Sequence, residues 1–76
     1  MTQNESLVRK RWALLETMLD WPIAMIEEIS QLMKHYPHKS DEKTFEDYVT
    51  KLLDIVQNAT NKEAAMEAIR SMPSEE

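Results

Sequence analysis

The chain contains no glycine. Glycine accepts positive φ without steric cost, so tight hairpins, phosphate-cradling loops and many helix ends rely on it. Its absence excludes a glycine-rich nucleotide loop and disfavours a β-rich fold. Cysteine is absent as well. No disulfide framework staples the chain, and no thiolate serves as nucleophile or metal ligand. No apolar run approaches the ~18 residues that a membrane span needs. The first twenty residues hold no signal-peptide core, because Arg9, Lys10 and Arg11 interrupt them. A cytoplasmic protein is expected.

What is present suits a small globular protein. Of the 76 residues, 42% are hydrophobic and 30% charged, a balance outside the disordered range. A chain this short forms one domain at most. It buries only roughly 60% of its unfolded surface, so its stability is marginal unless a partner adds to it. The net charge of −5 is unevenly spread. Residues 1–40 hold five acids and five bases, whereas residues 41–76 hold nine acids and four bases and so supply all of it. An acidic half argues against nucleic acid as the main partner.

Hydrophobic residues recur with the helical period. At 100° per residue, Leu7, Val8, Trp12, Leu14, Leu15, Met18 and Leu19 fall within an arc of about 160°. Trp21, Met25, Ile26, Ile29, Leu32, Met33 and Tyr36 share a second face, which must end at "YPHKS" because Pro37 cannot continue a helix. Phe45, Tyr48, Val49, Leu52, Leu53, Ile55, Val56 and Ala59 form a third stripe. A fourth, short stretch carries Ala64, Ala65, Met66, Ala68, Ile69 and Met72. The pattern predicts an all-α bundle of three to four helices, at about 5–20, 21–36, 41–58 and 61–72, with a frayed tail at 73–76. Ser40 is the expected N-cap of the third helix, with a later start at Thr44 as the alternative. Thr60 with Glu63 matches a capping box for the fourth.

Pro22 lies inside the first helical run, about residues 5–36. Proline in a helix interior removes one hydrogen bond and clashes with the carbonyl four residues earlier. Yet the two stripes on either side stay nearly in phase, and the linking residues hold no glycine. That agreement favours a bent or briefly interrupted run over a tight reversal. If the run does break, Asp20 is placed to cap the helix that follows.

Few residues suggest chemistry. His35, His38, Asp41 and Glu42 lie close in sequence, but Pro37 separates the histidines and no second cluster completes a metal site. They are read as polar loop residues, with no metal and no cofactor. Glu27 and Glu28 diverge by about 100° on a helix and cannot share a proton. The sequence offers no nucleophile–base set. A chain of this size is also hard pressed to enclose the ~300 Å³ of a usual ligand site. An enzyme or a small-molecule substrate is therefore not expected.

The surface is more suggestive. Three stripes of about 160° exceed the ~100° that a core-facing helix needs. Tryptophan is enriched at binding hot spots, and methionine adapts to irregular partners. Trp12, Trp21 and Met25 are thus candidate partner-binding residues, with Arg9, Lys10 and Arg11 as a cationic edge. The function expected is a non-enzymatic protein–protein interaction module, a regulator, adaptor or assembly factor, self-associating as a homodimer. The alternative is a nucleic-acid accessory protein that uses the basic triplet.

Overall fold

The structure, a computed structural model, describes residues 5–37 and 40–72. They form four helices: α1 (Glu5–Thr17), α2 (Ile23–Lys34), α3 (Glu42–Asn58) and α4 (Lys62–Arg70). Strands are absent among the described residues. No described residue has a positive φ. The chain makes its turns from right-handed and extended residues: His35 closes α2 at φ −103°, ψ 14°, and Ala59 closes α3 at φ −72°, ψ 150°. A chain without glycine manages because none of its helix ends takes the left-handed conformation.

The first run breaks at Pro22. α1 stops at Thr17, and residues 18–22 are not helical. The Met18 N–H still donates to the Leu14 and Leu15 carbonyls, and the Trp21 N–H donates to the Met18 carbonyl. Pro22 then takes φ −56°, ψ 142° at the N-cap of α2, where its carbonyl accepts from the Met25 and Ile26 amides. Proline suits this place, because its fixed φ is preset and the amide it lacks would have no helical partner. Asp20 does not cap α2, whose N-cap has no side-chain hydrogen bond.

The chain folds back after the break. Arg11 and Leu15 of α1 line one small cleft together with Ser30, Met33 and Lys34 of α2. Residues 11 and 34 would lie about 35 Å apart on a straight helix. A straight run over 5–34 would also span ~45 Å, against a longest dimension of 35 Å. The near-continuity suggested by the phase of the two stripes is therefore corrected. Stripes in phase along a helix are equally suited to facing one core from two sides of a turn.

Two helix starts also differ from expectation. Asp41, not Ser40 or Thr44, caps α3: its carboxylate accepts from the Thr44 amide and from the Thr44 hydroxyl, the latter at 2.7 Å. Asn61, not Thr60, caps α4 by accepting from the Ala64 amide at 2.8 Å. Either residue in each pair has the side-chain oxygen required, and one residue of register separates them. α3 ends at Asn58, as the sequence suggests, and Asn58 donates to the Asp54 carbonyl and carboxylate. α4 ends at Arg70, short of Met72. The tail at 73–76 lies outside the described residues.

α3 is the central element and packs against α1 and α4. Its Phe45, Val49, Leu52 and Val56, spaced four, three and four residues apart, are buried. Around them close Leu7, Leu14 and Met18, then Ile29, Met33 and Tyr36, then Met66 and Ile69. No polar or charged side chain is buried among the described residues. Two polar ties fix the helices at the rim. Glu46 of α3 accepts from Ser6 at 2.7 Å and from Lys10 at 3.0 Å on α1. Arg70 of α4 grips Glu28 of α2 through two hydrogen bonds of 2.8 Å each.

Candidate functional site

α1 and the first residues of the break after it carry two apolar rows, about one residue step apart around the helix. The inner row, Leu7, Leu14 and Met18, is in the core. The outer row is Val8, Trp12, Leu15 and Leu19, and all four side chains are exposed. Trp12 retains 63% of its accessible surface, although Leu14, two residues on, retains none. Ile23, the first residue of α2, is exposed too and adds a fifth large apolar side chain. The wide arc seen in the sequence is thus divided: one edge meets α3, and the other faces outward.

The local reason is the fold-back at Pro22. On the Arg11 side, Arg11 and Leu15 border a cleft that Ser30, Met33 and Lys34 of α2 also line. α3 covers the side of Ser6 and Lys10. Two neighbours on one helix cover the Leu7–Met18 row between them and leave the next row bare. Val8, Arg11, Trp12 and Leu15 frame a shallow depression of about 200 Å³ on that face.

The predicted site residues separate in space. Trp12 stands in the exposed row. Trp21 and Met25 are half-buried and pack against the core, so the core uses part of their area. The basic triplet divides as well. Lys10 is bound to Glu46. Arg9 reaches Glu5 at 3.6 Å, with both side chains largely solvated. Arg11 is exposed and makes no ion pair among the described residues; its stem borders the Trp12 depression. Three consecutive helical residues point in three directions, so a compact cationic patch does not form.

A second concave surface was not legible in the sequence. An open cleft of about 830 Å³ lies between α2, α3 and α4, with Leu32, Tyr36, Tyr48, Ile69 and Met72 on its walls and the Glu28–Arg70 pair at its edge. Its volume exceeds the ~300 Å³ judged hard to enclose; the space is an open cleft between helices, which needs no enclosing shell. Tyr36 and Tyr48 stack at 4.1 Å between ring centroids. Burial, with a smaller effect from the neighbouring Tyr36, pushes the Tyr48 hydroxyl above its usual range. At the edge of the cleft, His35 Nε2 lies 3.0 Å from Gln31 Oε1. The Arg70 hydrogen bonds hold the Glu28 carboxyl below its ordinary range and push the guanidinium of Arg70 up. Of the loop residues weighed as metal ligands, Asp41 is used as the α3 cap, and His38 lies outside the described residues.

No protein-family model, curated protein or solved structure matches this chain. No described helix is long and apolar enough to cross a membrane.

Proposed function

We propose that this chain is a small, non-enzymatic protein–protein interaction module of the cytoplasm, working as a regulator, adaptor or assembly factor. Its working surface is the outer row of α1, Val8, Trp12 and Leu15, together with exposed Leu19 and Ile23 beyond the helix end. One observation carries the reading: a tryptophan 63% exposed in the middle of a continuous row of exposed apolar side chains. Isolated apolar residues on a surface are ordinary, but contiguous ones mark contact sites. Tryptophan at the centre of such a patch is the residue type most often found to dominate binding.

The nucleic-acid alternative rests on Arg9, Lys10 and Arg11, and Lys10 is already committed to Glu46. The test compares the tagged full chain with Trp12→Ala in quantitative capture of protein from the native cell. Loss of the captured partner in the Trp12 variant, with helicity unchanged by circular dichroism, supports the reading. Normal capture by that variant refutes it. Binding to nucleic acid that weakens steeply with salt and vanishes on charge reversal of Arg9 and Arg11 installs the alternative instead.

A further inference from the structure

We infer that the outer row of α1 is covered first by the same row of a second copy, in antiparallel pairing across a two-fold axis between Trp12 and Leu15. The inference rests on the interaction-module reading and names the occupant of its surface. On α1 the row is Val8, Trp12 and Leu15, spaced four and three residues apart, and exposed Leu19 follows in the turn beyond Thr17. Reversing the direction of a second copy about that axis sets Trp12 against Leu15 at two symmetric contacts, with Val8 of each copy toward the other's turn after Thr17. The depression framed by Val8, Arg11, Trp12 and Leu15 gives a tryptophan from the other copy a place to seat.

Charge selects the direction. Arg9 and Glu16 sit on the same flank of the row, and both are exposed. In an antiparallel two-fold pair, like flanks meet. Arg9 of one copy then lies within two residues, about 3 Å along the axis, of Glu16 of the other, and the contact occurs twice. Parallel pairing sets opposite flanks together and brings Arg9 of one copy beside Arg11 of the other, a like-charge contact. Arg9 holds Glu5 only at 3.6 Å in solvent, so little opposes its move to a new partner. On the other flank, Arg11 meets only its own copy and adds no attraction. A two-fold pair is also the commonest closed assembly.

Sedimentation equilibrium on the full chain tests this. The wild type is expected to be a dimer at micromolar concentration. Arg9→Glu and Glu16→Arg each weaken it about tenfold or more, since each replaces two attractive contacts with two repulsive ones. An equimolar mixture of the two variants restores dimers, because opposite charges then face each other at both contacts. Arg11→Gln leaves the dimer intact or tightens it. Introduced cysteines report the register in a chain that has none: Trp12→Cys of one copy crosslinks with Leu15→Cys of the other, whereas Val8→Cys does not crosslink with itself. A monomer of about 9 kDa at all concentrations overturns the inference. So does a dimer indifferent to Arg9 and Glu16, or one in which Val8→Cys links to itself. Should the chain prove monomeric while Trp12→Ala still abolishes capture of another protein, the interaction-module reading stands and the self-pairing alone is refuted.

Discussion

Leu14, Leu15 and Trp12 show how much a single step around a helix decides. All three belong to one apolar arc, but Leu14 is fully buried and Trp12 is mostly exposed. Burial, not residue type, assigns their roles. Leu52, at the centre of α3, is also fully buried. Leu52→Ala removes buried methylenes and leaves a cavity, an expected cost of about 2–5 kcal/mol. A domain of this size has little more than that in total. In the monomer, below the concentration at which copies pair, Trp12→Ala deletes a larger side chain from the surface and should change stability by less than ~0.5 kcal/mol. Thermal melts of both variants under these dilute conditions check the contrast. A Leu52 variant that melts within a degree of the parent contradicts the core, and a Trp12 variant that melts far below it contradicts the exposed row. Fluorescence quenching by a neutral quencher should likewise reach Trp12 more readily than Trp21 in the monomer.

Between the elements, the decisive feature is the five-residue break from Met18 to Pro22. It stops α1 and turns the chain back so that α2 shares a cleft with it, while Met18 stays in the core. Pro22 occupies a position whose backbone it fits without strain, at φ −56°. Its benefit comes from restricting the unfolded chain. Pro22→Ala should therefore destabilise by roughly 0.4–1 kcal/mol, measured by urea titration. An increase in stability together with a rise in helicity would mean that α1 and α2 join once the proline is removed, and that the turn exists only through Pro22. The caps belong to this scale too. Asp41 and Asn61 start α3 and α4 with side-chain oxygens on the amide three residues ahead, so each start is fixed locally, before any packing.

At the scale of the molecule, α4 is held by its small apolar face on α3 and by the Arg70–Glu28 clamp to α2. The clamp makes stability sensitive to acid. Arg70 holds the Glu28 carboxyl below its ordinary value of 4.5 in the folded protein. The unfolded chain thus takes up a proton at higher pH than the folded one. The stabilisation is complete above pH 4.5 and is lost as the pH falls through the lower folded value. The pair is exposed to solvent, so its effect is modest and shrinks with salt. Urea titrations of wild type and Glu28→Gln across this window should diverge above pH 4.5 and converge below it. Curves that stay parallel throughout would show that the clamp contributes nothing to stability.

The order of the helices and the residues of their apolar faces could be read from the chain itself, because helical period and proline act over a few residues. Phe45, Val49, Leu52 and Val56 belong to the stripe the sequence marks, and α3 ends at Asn58 as its pattern implies. The absence of glycine rightly disfavoured strands for the same local reason. Neither Pro22 nor the phase of the two stripes could say whether the chain bends or returns, since a bent run lines Leu14, Met18, Ile29 and Met33 along one face and a returning run turns the same residues toward one core. That was decided by packing, through the need to bury both rows on α3. Which half of the wide α1 arc remains bare was decided there as well, by where α2 and α3 come to lie. So was the capture of Lys10 by Glu46, two residues 36 positions apart that no local pattern pairs. The cleft between Tyr36, Tyr48 and Met72 likewise exists only where three helices converge.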